Sequence, residues 1–319
     1  MSTRRALLLT TVLLVVFAFA ASLFAQSDSV RTYLIDGGRK MADQDYKGAR
    51  EAYQKVLQLD PNNFEAVKTL GAIASALGDP RQARVYLERA YRMNPLDADL
   101  CNNLGALLSM DNKPAEAIKY YEMAAKLDTV DALILSNLGM EYLKVGQIDK
   151  ARTSLFRAAK LDTINPIIPF SIGNCYSAEK NFDSSEYYYD RSVASGGTDP
   201  QLFYFRGITK RNLGKTAEAE KDFKEALRRN PKYIECYQSL GLLYVTQMKY
   251  PEAAEQFEQV VKLNPKFIPG VISLGVMYAL INKQPDADNI RAKLYGIDSS
   301  YGAKMDDLVE VERSRTKKK

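Results

Sequence analysis

The sequence contains no histidine and no tryptophan, and only three cysteines. Without histidine the commonest general base is missing, as are every Ser-His or Cys-His nucleophile pair and the usual zinc ligand. Cys101, Cys175 and Cys236 are far apart in the chain and form no Cys-x-x-Cys motif, so neither a thiolate metal site nor a dithiol redox site is expected. Excess charge is also scarce. The net charge is +5, which the five basic residues of the final "RSRTKKK" alone account for. The body therefore lacks the basic surplus of a nucleic-acid binder, and the tail, residues 313–319, is expected to be solvated and disordered.

No acidic residue precedes Asp28, and residues 1–25 read "MSTRRALLLTTVLLVVFAFAASLFA". A basic Arg4-Arg5 pair followed by an apolar run is the pattern of a secretory signal. Ala18-Phe19-Ala20 satisfies the small-x-small rule for cleavage. "LFAQ" resembles the signal ends of exported Bacteroidota proteins, which favours cleavage after Ala25 and a mature chain that begins at Gln26. The run is also close to the ~20 residues that span a bilayer, so an uncleaved anchor is the alternative. In both cases the two arginines place the body outside the cytoplasm, in the periplasm or cell envelope. No cysteine lies before Cys101 to carry a lipid at the signal end.

What the chain has in abundance is periodicity. Gly37, Gly71, Gly105, Gly139, Gly173, Gly207, Gly241 and Gly275 stand 34 residues apart. Twelve residues after each comes a small residue: Ala49, Ala83, Ala117, Ala151, Ser185, Ala219, Ala253 and Ala287. Four further on comes a large one: Tyr53, Leu87, Tyr121, Leu155, Tyr189, Phe223 and Phe257, then Arg291. Pro61, Pro95, Pro231 and Pro265 each follow an Asn or Asp, with Thr129 and Thr163 in the same place elsewhere. Between the glycine and small columns lie Gly78, Asn112, Gly146, Gly214 and Asn282, residue types that tolerate the left-handed conformation ending a helix. The spacing predicts two antiparallel helices per period. Small residues let the pair approach, the large one fills the end of the contact, and proline stops the second helix.

These columns resemble the tetratricopeptide repeat. The resemblance implies an all-α, right-handed superhelical solenoid of eight units over residues 30–301, starting near 30, 64, 98, 132, 166, 200, 234 and 268. Unit five is the most irregular, with Ser185, Ser192 and "SGGTDP", so a kink near 195–200 is expected. Arg291 suggests a terminal unit, covered by a capping helix over residues 302–312.

The remaining motifs carry no chemistry. "LGKT" at 213–216 has Thr209 where a phosphate-binding loop needs its first glycine, and the preceding segment is helical. No catalytic residue, metal site or cofactor is expected. In this repeat the first helix lines the groove, which directs attention to the residues just before each glycine. Asn103 and Asn137 resemble the asparagine ladder of O-linked N-acetylglucosamine transferases, whose side chains hold a peptide backbone. An amide both donates and accepts, so it pairs main chain without reading side chains; the plainer reading is bonding between neighbouring turns. The column that includes Asn102, Phe170 and Tyr204 is expected to face the open groove, and with Leu133 and Ile167 it divides into a polar part and an apolar part. Exposed apolar and aromatic clusters mark partner sites.

The expectation is a non-catalytic scaffold whose partner is a segment or helix of another protein, with no nucleic acid. It would meet the membrane only through an uncleaved N-terminus. Alternatives are an anchored envelope-assembly factor and a carbohydrate- or peptidoglycan-binding module using Tyr187, Tyr188, Tyr204 and the basic tail.

Overall fold

The computed structural model describes residues 26–317; residues 1–25, with the signal or anchor, lie outside them. Helices alone make up the regular structure among the described residues. The first, α1, spans residues 26–42. It is followed by α2 (Tyr46–Leu59), α3 (Phe64–Ala76), α4 (Pro80–Met93), α5 (Ala98–Met110), α6 (Pro114–Leu127), α7 (Ala132–Lys144) and α8 (Ile148–Leu161). Then come α9 (Ile167–Ala178), α10 (Phe182–Ala194), α11 (Pro200–Asn212), α12 (Thr216–Arg229), α13 (Ile234–Thr246), α14 (Tyr250–Leu263), α15 (Ile268–Leu280), α16 (Gln284–Ile297) and α17 (Ser299–Lys317). The chain divides into two compact units, one ending at Leu161 and the other starting at Asp162.

Within each unit the helices pair as the columns require. A β-carbon on Gly71 would lie 2.6 Å from Leu87, on Gly105 2.8 Å from Tyr121, and on Gly207 2.8 Å from Phe223. The glycine column is therefore a helix–helix contact too close for any side chain, and the large column is what fills it. Ser185, the one serine in the alanine column, is fully buried. Its hydroxyl donates to the Gly173 carbonyl at 3.0 Å and lies 3.3 Å from the Thr209 hydroxyl, so burial leaves it bonded.

The turn inside each pair is left-handed at one place, seven residues after the glycine. Gly78, Asn112, Gly146, Gly214 and Asn282 have φ between 58° and 76° there. So do Gln44, Lys180 and Met248, each with φ 59°, residues whose type gives no hint of it. An L-residue in this conformation costs roughly 1–2 kcal/mol. Lys180→Gly, at an exposed position, is expected to raise stability by about 1 kcal/mol or less, part of the gain being returned as entropy of the unfolded chain. A urea melt in which the variant is no more stable than wild type would refute that.

The turns between pairs do not depend on proline. Asp128 Oδ1 accepts the Val130 N–H at 2.9 Å, and Asp162 Oδ1 accepts that of Ile164 at 3.1 Å, although threonine stands between. The same Asx bond forms at Asn94, Asn230 and Asn264, where proline is present. The Asn or Asp carries the turn, which is why Thr129 and Thr163 are tolerated.

The irregular stretch 195–200, where a kink is expected, lies inside the unit that starts at Asp162. It is tied down by the Gly197 N–H on the Ser192 carbonyl at 2.9 Å, by the Ser192 hydroxyl on the Pro166 carbonyl at 2.7 Å, and by Asp199 capping α11. The final helix is longer than 302–312. It begins at Ser299 and continues to Lys317, into the segment expected to be disordered. Arg313 donates to the Ala279 carbonyl at 3.3 Å and Arg315 pairs with Glu312 at 2.8 Å, so basic charge there is partly spent on the helix itself.

Candidate functional site

From α3 to α15 each first helix packs on its own second helix, and several also pack on neighbouring first helices: α3 on α5 and α5 on α7 in one unit, α9 on α11 and α11 on α13 in the other. No second-to-second packing of that extent occurs among the described helices. First helices therefore line the inner curve within each unit, and their outward side chains form the candidate groove.

In the unit ending at Leu161 this face is polar. Lys68 is largely buried and lies 3.2 Å from both Glu65 and Asp97. Burial works against its charge, but the two carboxylates win and its pKa rises above the ordinary lysine value. On the next helices Asn137 Nδ2 donates to Asn102 Oδ1 at 2.9 Å. Asn102 is only 8% exposed. Its column therefore does not present an open surface here, and neither does Ser136, because these short side chains are closed over by the adjoining first helix. Asn102 and Asn137 behave as the plainer reading has it and bond successive first helices. Asn103 is half-buried and makes no side-chain hydrogen bond among the described residues, which leaves its amide available. Leu133 is exposed at the start of α7. Farther along the face, buried Glu141 accepts from the Ser109 hydroxyl at 2.7 Å and from Lys144 at 2.9 Å.

In the unit starting at Asp162 the face is aromatic. Phe170 meets Tyr189 at 5.8 Å between ring centroids and Phe205 at 6.2 Å. Tyr204 meets Phe205 at 5.2 Å and Tyr233 at 4.9 Å. All but Tyr189 are half-buried, so the rings brace one another and keep part of their surface in solvent. Phe205 and Tyr233 also belong to this cluster. Ile167 is exposed at the head of α9. The tyrosines of the carbohydrate alternative do not gather in one place: Tyr188 stacks on Tyr176 at 5.5 Å and meets Tyr187 at 5.1 Å, whereas Tyr204 belongs to the other cluster.

Behind the aromatic face lies a charged network that sequence reasoning did not find. Asp222, on α12, is 3% exposed and receives two hydrogen bonds from Arg206 of α11, at 2.6 and 2.8 Å. Lys210 approaches the same carboxylate at 3.1 Å, and Arg206 also reaches Asp190 at 2.9 Å. The spacing that joins them, sixteen residues from Arg206 to Asp222, equals that from glycine to large column, and could have flagged the pair. The three cysteines are free and buried. Burial pushes the Cys101 thiol up to about 11 and that of Cys236 up to about 12, which suits inert fillers and not nucleophiles. No group of residues among those described could hold a metal ion.

Comparison with known proteins agrees with this geometry. Residues 40–100 and 206–267 each match a tetratricopeptide-repeat family model. No curated protein matches the chain in sequence. Among solved structures, PilF of Pseudomonas aeruginosa is similar at 18% identity and a TM-score of 0.58, over 65% of this chain and 94% of its own. PilW, a type IV pilus biogenesis factor, is similar at 21% identity and 0.58, over 66% and 97%. A tetratricopeptide repeat protein from Parabacteroides merdae is similar at 16% and 0.57, over 77% and 98%. At such identities the likeness is one of fold. With eight glycines in 34-residue register and paired helices through the described residues, each compact unit contains tetratricopeptide repeats, matched at residues 40–100 and 206–267.

Proposed function

We propose that the protein is a non-catalytic scaffold of the periplasm or cell envelope, holding an extended segment or a helix of another protein against its first helices. The observation that carries the reading is the chain of half-exposed rings Phe170, Phe205, Tyr204 and Tyr233 along α9, α11 and the turn before α13. Such rings supply large contact area at little entropic cost and dominate interface energies. In the other unit the amide of Asn103 is the group suited to hold a main chain. Export rests on residues 1–25 of the sequence alone.

The test begins with cross-linking in envelope fractions and identification of the captured protein by mass spectrometry. The recovered partner is then titrated against variants. Phe170→Ala is expected to weaken binding by about 2 kcal/mol. Asn103→Ala should cost about 0.5–1.5 kcal/mol, the worth of one neutral hydrogen bond. Helicity should be unchanged in both. Equal affinity for Phe170→Ala and wild type would move the site off the aromatic face.

A further inference from the structure

The turns between helix pairs hold an apolar stripe that neither packing nor the groove accounts for. The Asx bond turns the side chain two residues after each Asn or Asp out to solvent. In the unit ending at Leu161 that residue is Asn62, then Leu96 and Val130, the last two each 70% exposed. Around them stand Leu133, 59% exposed, and Met93, Leu127 and Leu161, the last residues of α4, α6 and α8. Six of the nine exposed large hydrophobics among this unit's described residues thus lie on one edge. Arg89 bonds the Pro61 carbonyl and Arg157 the Thr129 carbonyl, so successive turns are laced side by side along that edge. In the other unit the same register holds exposed Ile164, then Lys232 and Lys266.

Basic side chains border the stripe. Arg92, Lys126 and Lys160 precede the three terminal hydrophobics and are exposed. Of the acidic residues nearby, Asp97 and Asp131 cap α5 and α7 and Asp128 holds the Val130 turn, whereas Glu65 and Asp99 stay exposed on the first turns of α3 and α5, 3.2 and 3.7 Å from Lys68. The chain also enters the structure here. Gln26 donates its side-chain amide to the carbonyl of Leu59, the counterpart in α2 of Met93 and Leu127.

We propose that this edge lies against an anionic lipid bilayer, with Leu96 and Val130 entering the headgroup region and the three basic side chains meeting lipid phosphates. Apolar side chains flanked by lysine and arginine are the chemistry of interfacial binding. Burying the stripe in lipid removes it from water, and the outward basic residues remain solvated at the phosphate level. The proposal goes beyond segment capture: it orients the body on the membrane and leaves the first-helix face free.

The test uses the full chain in vesicles containing phosphatidylglycerol. Single variants Leu96→Cys, Val130→Cys and Met110→Cys are labelled with an environment-sensitive fluorophore; the native thiols, being buried, stay unlabelled. Met110 is as exposed as the stripe but sits at the far end of α5, roughly 18 Å from its start. Labels at Leu96 and Val130 should shift to the blue and lose fluorescence to nitroxide-bearing lipid chains, while the Met110 label does neither. Lys126→Glu with Lys160→Glu should reduce that loss. Overturning results are an unquenched Val130 label, equal quenching at all three positions, or a blue shift that needs envelope protein and no lipid. Titration of the recovered partner without vesicles reads the groove separately, so failure of either reading leaves the other standing.

Discussion

Asp222→Ala is expected to destabilise the helix pair α11–α12 by about 3 kcal/mol, the lower end of the cost of breaking a buried ion pair. The carboxylate is almost wholly enclosed and receives both a two-point contact from Arg206 and the Lys210 ammonium. Its removal leaves two cations with little water around them. The cost stays near the lower bound because Arg206 keeps Asp190 and Lys210 keeps Glu218, at 2.9 and 3.4 Å, both partners being exposed. Urea unfolding followed by far-UV circular dichroism gives the magnitude, and hydrogen exchange should show the loss centred on α11 and α12. A variant that unfolds with wild type would mean that the exposed carboxylates suffice. Restoring the pair with Asp222→Glu should recover only part of the loss, since the longer side chain cannot keep both hydrogen bonds in the same space.

Gly139→Leu should be comparably damaging, about 3 kcal/mol, at the top of the usual range for overpacking. A single β-carbon there would sit 2.6 Å from Leu155 Cγ and 3.1 Å from the Ala151 carbonyl oxygen. The leucine could swing aside, but the carbonyl belongs to α8 and moves only with its helix. Gly139→Ala is therefore expected to destabilise as well, though less, and the graded pair separates crowding from any effect of helix propensity, which favours both substitutions. Coincident far-UV melts for wild type and Gly139→Leu would refute the close contact between α7 and α8.

The columns were legible because each expresses a contact closed within one 34-residue period: glycine against the large residue, alanine between helices. Where a contact reaches into the next period, the sequence was less informative. Asn102 and Asn137 stand 35 residues apart, and only the fold brings them to 2.9 Å, turning two candidate ligand groups into partners of each other. Lys180, Met248 and Gln44 hid the left-handed column because residue type reveals conformation only where the strain is relieved by glycine or asparagine. The aromatic face was half visible. Phe170 and Tyr204 were evident from register, but Tyr233 enters from a turn that no helical periodicity covers. The apolar stripe was hidden for the same reason, since Leu96 and Val130 look like ordinary fillers until the Asx bond turns them outward.

The final helix decides whether the stack can stop. α17 packs on α15 and α16, and Met305 with Ile290 occupies the space beside Gly275 that the large column fills elsewhere. Arg291 and Tyr295 both bond Asp306, and Tyr250 reaches Glu312, so the helix is fastened by polar contacts along its length. A chain ending before Ser299 would leave α15 and α16 as a bare step, shaped to receive one more helix pair of the same pattern. Any other copy carries such pairs. Addition of this head-to-tail kind builds an open filament unless its rotation closes a ring. In α17 the chain itself covers that step.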